Sequence, residues 1–362
     1  MPRVLRAAPS RAGRRRPAGR TAPRHLVVRD DPRNAETAPH ALGAYLTSAA
    51  DRFLRSNFAV PRLSSRAHRL NVGGLVDRPL RLRVEELCLL PQRTLTVTTE
   101  CAGNHRTTLS PLPPGEPWSG GAVSTARWTG VPLATLLERS GLRPGAVEVV
   151  ATGADSGQVA AGQAPYARSL PLARALHPDT LVALRMNGEP LLAAHGAPVR
   201  LIVPGWYGMA SVKWLAGLEL VGEPFAGYFQ SERYVYREPG RAPAPVVEMR
   251  VKSVFTSPPP ALPVGMGAVR VSGLAWSGSA RVARVEVASG GGGEWVPARL
   301  TGEEEPYAWR AWDLIWAPPW RGRHVLRCRA TDEAGNVQPD LPRWNELGYG
   351  ANGVQSLIVD VR

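Results

Sequence analysis

Leu95-Thr-Val-Thr-Thr-Glu-Cys101-Ala-Gly-Asn-His-Arg106 begins as a strand and ends as a turn. Its first five residues alternate apolar and polar and are rich in β-branched side chains, the composition that suits a pleated, half-buried surface. Its second half places a thiol, Cys101, beside Gly103 and the pair His105-Arg106. A cysteine at a strand end next to positive charge is poised to ionise, and a thiolate is a soft ligand suited to transition metals. Free cysteine is also among the most buried residue types, so a structural core cysteine fits the same letters. The octapeptide Thr99-Glu-Cys-Ala-Gly-Asn-His-Arg106 leaves both readings open.

On either side of this stretch the chain alternates strand and helix signals. Leu26-Val-Val opens a strand, and 41–53 reads as a helix. Residues 69–83 alternate around Gly73-Gly74 and Asp77-Arg78-Pro79, which is hairpin chemistry. Residues 131–140 read as a short helix closed by Gly141, 147–152 as a strand leading to Asp155, and 170–175 as a short helical piece. Residues 181–186 form a strand before the Asn187-Gly188 turn, and 199–203 an apolar strand ending at Pro204-Gly205. This predicts a mixed α+β domain with its chemistry in loops at strand ends. After a Pro/Gly/Arg-rich linker, 237–245, the texture changes to short strands at 268–274, 280–288, 295–300, 309–316 and 322–330. Their spacing predicts an all-β sandwich of immunoglobulin-like size. Trp276, Trp295, Trp309, Trp312, Trp316 and Trp320 gather there and read as core and interface packing.

Composition narrows the classes. No apolar run reaches the roughly 18–20 residues that span a bilayer, so no membrane partner is expected. Three cysteines, Cys88, Cys101 and Cys328, cannot all pair, which fits a reducing compartment. The net charge of +14 suggests nucleic acid, but eight arginines and no acid lie within residues 1–24. Such an arm binds phosphates nonspecifically, and its Arg/Pro/Ala/Gly content predicts a disordered tail rather than a folded reader. No specific nucleic-acid partner is therefore expected. Arg14-Arg15-Arg16 prompts an export check, which fails because residues 17–24 hold no apolar core. The expectation is a cytoplasmic protein. The chain has only two lysines, Lys213 and Lys252.

Cys101-Ala-Gly-Asn-His-Arg106 resembles the molybdenum-cysteine motif of the sulfite oxidase family of molybdopterin enzymes, with His105 in place of the family's first arginine. Further blocks follow in family order: Trp118-Ser-Gly-Gly-Ala-Val-Ser-Thr-Ala-Arg-Trp128, Asp155, His195-Gly-Ala-Pro-Val-Arg200, Val203-Pro-Gly-Trp-Tyr-Gly-Met-Ala-Ser-Val-Lys213-Trp214, Gln230 and Tyr234. Arg55-Ser-Asn57-Phe-Ala-Val-Pro61 resembles the family's Arg-Asn-His-x-Pro-Val-Pro, with Ser56, Asn57 and Ala59 as departures. The resemblance runs from about Leu26 to the C-terminus. It implies a molybdopterin-binding catalytic domain over 25–236, the linker 237–245 and an immunoglobulin-like dimerisation domain over 246–362. It also implies a homodimer and the cofactors molybdenum and molybdopterin.

Roles follow from the matched positions. Cys101 is implied as the protein ligand to molybdenum. Arg200 and Lys213 would meet the cofactor phosphate, Arg as a bidentate fork and Lys as a point charge. Backbone N–H groups of Ser211, Val212 and Lys213 would add a nest for that anion. His195, Asp155 and Asn57 would hydrogen-bond the cofactor. Arg55, Arg106, Trp118 and Tyr234 would wall a cationic pocket for a small oxyanion. Structural alternatives stand beside these: an Asx-turn for Asp155, a satisfied histidine for His195, an ion pair for Arg200 and a plain strand for Tyr234.

The resemblance implies oxidation of sulfite to sulfate by oxo transfer. No haem-binding histidine pair precedes the domain in this sequence, so the electron acceptor is expected to be external, a cytochrome or oxygen. One alternative is reduction of an S-oxide or N-oxide on the same scaffold. The other, of a different class, is a nucleic-acid- or protein-binding module using the basic tail.

Overall fold

The structure is a computed structural model that describes residues 24–38, 42–259, 262–290 and 293–362. All but the last residue of the basic tail, 1–24, lies outside these. The α+β expectation holds with strands dominating. Three short α-helices, Val84–Cys88, Leu133–Ser140 and Leu172–Ala175, are set among the strands.

Two five-stranded sheets build the first half. In one, Arg93–Glu100 pairs antiparallel with Val123–Pro132 along its whole length, ending with Glu100 opposite Val123. Val123–Pro132 pairs in turn with Leu181–Met186, which also carries Glu189–Pro190 and Arg200–Ile202. In the other sheet, the predicted hairpin strands Leu80–Arg83 and Arg69–Gly74 lead to Leu215–Val221, Glu148–Val159 and Gly162–Pro171. Leu133–Ser140 turns Leu133, Leu136 and Leu137 inward and ends at Gly141, whose φ of 71° suits glycine. The apolar faces of the sheets, Val72, Val149, Leu201, Val203 and Leu218 among them, share one core.

The second half is the expected sandwich, with the strand order Lys252–Ser257, Val269–Trp276, Arg310–Trp316, Val296–Thr301, Val282–Ser289, Gly322–Asp332 and Gln355–Val361. Trp276, Trp309, Trp312 and Trp316 are buried as predicted, but Trp320 is exposed. Trp295 is half-exposed and covered by Arg327 and Arg329, whose guanidinium carbons lie 5.4 and 4.2 Å from the ring centre.

The two halves are joined by directed contacts as well as by apolar packing. Residues 307–309 lie along the edge of Arg93–Glu100: Thr98 N–H donates to the Tyr307 carbonyl at 2.8 Å, and Trp309 N–H donates to Thr98 Oγ1 at 2.8 Å. Gly205 and Gly278 meet backbone to backbone, since a Cβ on either would strike the other's carbonyl oxygen at 2.5 or 2.0 Å. The closing run also returns to the first half, with Gly350 N–H donating to the Ala102 carbonyl at 2.8 Å.

Most predicted strands appear within a residue or two of their expected ends, and Leu181–Met186 matches in full. Residues 42–53 are a correction: they form turns and bridges, not a helix. Gly43, at φ 137°, interrupts the segment, and its backbone is claimed from outside, Thr47 N–H by the Thr125 carbonyl at 2.7 Å. Tertiary pairing overrides helical periodicity there. The linker closes with Ala244–Pro245 paired to Val235–Tyr236. Among the described residues no helix is long and apolar enough to cross a membrane.

Candidate active site

Strand ends and loops of the first half converge on one cleft whose empty space, solvent at its mouth included, is about 690 Å³. Cys101 lies on its wall, placed by the antiparallel register that ends at Glu100 and fastened by its own N–H to the Ala122 carbonyl at 2.9 Å. Cys101 is 9% exposed. Burial pushes its pKa up, outweighing Arg55 and Arg106, against the sequence expectation of a thiol readied for ionisation by nearby cations.

Arg55, Asn57 and Tyr234 form a connected group on the same cleft. Arg55 Nη2 donates to Asn57 Oδ1 at 2.7 Å, and Asn57 Nδ2 donates to the Tyr234 hydroxyl at 3.3 Å. Glu116 stands 3.5 Å from Arg55. Burial alone would lower the Arg55 pKa, but Tyr234 and Glu116 outweigh it and raise it.

The rest of the cleft collects the other predicted residues. Arg200 Nη1 and Nη2 donate to the carbonyls of His195 and Ser211 at 2.9 and 3.0 Å, while its Nε has no partner. No acid pairs with it among the described residues, so the ion-pair alternative fails. Burial lowers its pKa to about 9. Lys213 Nζ donates to Ser56 Oγ at 2.8 Å and to the Ala194 carbonyl at 3.1 Å; burial first, then Arg200, lowers its pKa. His195 Nε2 bonds the Ala49 carbonyl at 2.8 Å, and burial and then Arg52 push its pKa down to about 3, so the ring is neutral at pH 7. Asp155 is buried with Oδ1 unpartnered, and burial raises its pKa to about 6.

Three expectations need correction. Arg106 does not line the cleft. It lies behind the Cys101 loop, where Nη1 donates to the Glu116 carbonyl at 2.6 Å, Nη2 donates to the Leu347 carbonyl at 2.9 Å and the guanidinium covers Tyr349. Its neighbours Gly103, Gly115 and Gly348 leave room for that side chain and no more. Trp118 also stays off the cleft, 0% exposed and packed with Phe53, Cys101 and Ala122. Val212 offers no anion nest: its side chain joins the core, and its N–H, like that of Ser211, is spent inside the turn at Gly208–Ala210. Ser211 does line the cleft, with Oγ accepting from Val203 N–H at 3.1 Å.

Sequence reasoning missed Arg52, Tyr166 and Met209, which also line the cleft. Arg52 fell inside the misread helix, where a charged residue reads as solvated.

A family profile described as "Oxidoreductase molybdopterin binding domain" matches residues 57–229, and one described as "Mo-co oxidoreductase dimerisation domain" matches 244–358. Fold and cleft thus define a molybdopterin-binding oxidoreductase. Chicken sulfite oxidase is 38% identical over 355 residues, covering 90% of this chain and 76% of that protein. Mitochondrial sulfite oxidase of Rattus norvegicus is 36% identical over 366 residues, covering 93% of this chain; the chain spans 66% of its length. Among solved structures, the sulfane dehydrogenase SoxCD from Paracoccus pantotrophus superposes with a TM-score of 0.83 at 30% identity, covering 98% of this chain and 96% of that one. This chain belongs to the sulfite oxidase family.

The cleft residues fit the molybdenum cofactor that the family carries. A soft donor, Cys101, stands on one wall. Asp155 presents an unpartnered oxygen suited to pterin N–H groups, and Arg200 and Lys213 are cations without carboxylate partners, suited to a phosphate. No cluster of three or more His, Cys, Asp or Glu among the described residues competes as a metal site.

Proposed function

We propose that this chain oxidises sulfite to sulfate, passing the electrons to a separate acceptor such as a cytochrome or oxygen. The observation that carries this reading is the charge on the cleft. Arg200 and Lys213 are assigned to the cofactor phosphate, which leaves Arg55, on the same opening as Cys101, as the cation for a substrate anion. A small oxyanion is what such a wall attracts.

When bound, the cofactor would supply two-electron oxo-transfer chemistry with Cys101 as its protein ligand. Overall, sulfite and water become sulfate, two protons and two electrons. Arg55 docks the anion through a planar fork suited to its oxygens, and Glu116 and Asn57 hold that fork in place. Because Asn57 Nδ2 donates to the Tyr234 oxygen, the phenolic proton is directed elsewhere, toward an oxygen of the substrate. Arg106 and Trp118 support the Cys101 loop from behind. Asp155, His195, Arg200, Ser211 and Lys213 hold the cofactor.

The test is a steady-state assay with sulfite and an artificial acceptor on protein whose molybdenum content has been measured. Sulfite-dependent reduction of the acceptor is expected. Fully loaded protein that ignores sulfite but reduces an S-oxide or N-oxide would reverse the assignment. Arg55→Ala is expected to raise KM for sulfite by about ten- to hundredfold, the loss of a charge-assisted contact, with molybdenum content unchanged. Lost molybdenum with a normal KM would mean that Arg55 serves the cofactor instead.

We also infer a homodimer formed through the sandwich. Val325 and Ile358, opposite each other on Gly322–Asp332 and Gln355–Val361, are exposed there, and two-fold pairing is the commonest way to cover such a face. Light scattering at micromolar concentration should give twice the chain mass; a monomer would defeat the inference.

A further inference from the structure

Arg52 is 3% exposed, lines the cleft and has no carboxylate within ion-pair distance among the described residues. Both terminal nitrogens donate to neutral hydroxyls, Nη2 to Thr99 Oγ1 at 2.6 Å and Nη1 to Ser124 Oγ. Its chain neighbour Asp51 is engaged elsewhere, by Arg24 at 2.8 Å and by Ser48 Oγ at 2.6 Å. Arg200 is in the same condition, bonded only to carbonyls. The two guanidinium carbons lie 5.1 and 5.0 Å from the centre of the Trp128 ring. With Lys213, three cations stand at this part of the cleft against Asp155. Buried charges of one sign without counter-charge are strongly unfavourable. A fold that keeps them together is built for an anion.

We propose that Arg52 is a further binding residue for the cofactor phosphate, completing with Arg200 and Lys213 a three-cation seat for a phosphate dianion. This rests on the molybdopterin reading above. The dianion and the Asp155 carboxylate together balance the three cations. The hydroxyls of Thr99 and Ser124 orient Arg52 without neutralising it, so its charge remains available to the ligand. The Trp128 ring beneath both guanidinium groups offers a weak cation–π attraction that a phosphate does not displace.

A purely structural Arg52 would tie residues 51–53 to the sheet, and its loss would weaken the fold with or without cofactor. A ligand-binding Arg52 predicts effects of opposite sign. Arg52→Met retains the length and the packing against Phe53 and Trp128 but removes the charge. In full-length cofactor-free protein it is expected to leave the thermal midpoint unchanged or raised, because repulsion with Arg200 is relieved. In loaded protein it is expected to speed loss of the pterin, followed by fluorescence after oxidation, by about ten- to hundredfold. Arg52→Lys should recover part of that retention. A lowered midpoint in the cofactor-free chain together with a normal rate of pterin loss would overturn the proposal. Purified wild-type protein lacking both molybdenum and pterin would instead overturn the cofactor reading, and this inference with it.

Discussion

Cys101→Ser is expected to abolish the proposed sulfite oxidation while leaving the fold in place. The thiol is the soft donor on the cleft wall, and a serine oxygen is a harder, poorer match for the same metal. Changes to outer partners of a metal site alone typically lower affinity or activity by about 10–100-fold, so loss of the ligand itself should exceed that. The exchange costs the fold little, because the side chain keeps its size among Phe53, Trp118 and Ala122 and the backbone bond to Ala122 is untouched. Burial raises the thiol's pKa, and a bound metal would favour the thiolate that coordinates it. Turnover and metal content measured beside the thermal midpoint decide the matter. Full turnover in the serine variant would remove Cys101 from the metal.

The second large effect is expected at Lys252. This lysine, from the first strand of the sandwich, contacts Glu100, the residue before Cys101, at 2.5 Å with 1% and 0% of the two side chains exposed. Trp276 Nε1 donates to the other carboxylate oxygen at 2.9 Å, and Asn104 Nδ2 adds a third bond at 3.0 Å. Lys252→Met would leave a buried carboxylate without its counter-charge, a loss of about 3–5 kcal/mol. Adding Glu100→Gln should restore part of it by removing the unpaired charge; Trp276 Nε1 and Asn104 Nδ2 donate to different oxygens, and the amide keeps an acceptor for only one of them. Denaturant unfolding of the single and double variants checks this. A loss under about 1 kcal/mol in the single variant, the range of an exposed pair, would show that the pair is solvated.

What was legible in the sequence was local. Leu181–Met186, the hairpin at Arg69–Gly74 and Leu80–Arg83, and the helix closed by Gly141 follow from alternation and turn residues within a few positions. The cleft residues Cys101, Arg55, Asp155, His195, Arg200, Lys213 and Tyr234 were reachable because ordered motifs marked them, and they meet as expected. Arg106 and Trp118 were misplaced because a motif gives residue order and not the direction of a side chain. Arg52 was hidden because its segment obeys bonds to Thr125 and Ala35, far away in the chain. The Glu100–Lys252 pair joins residues 152 positions apart, and Lys252–Ser257 itself carries no strong turn or alternation signal. Such pairings are made by the fold as a whole.

The backbone contact of Gly205 with Gly278 and the bond from Gly350 to Ala102 bear on how such a chain can be recombined. The two matched profiles meet near residue 240, which suggests a crossover point for chimeras. A donor sandwich spliced there would arrive with its own residue at 278 and its own closing run. Any side chain at 278 would strike a carbonyl, and a run lacking the Leu347 and Gly350 contacts would leave Arg106 Nη2 and the Ala102 carbonyl without partners. Successful hybrids would therefore have to exchange 205, 278 and 347–350 as a matched set. The seam in the sequence is not a seam in the molecule.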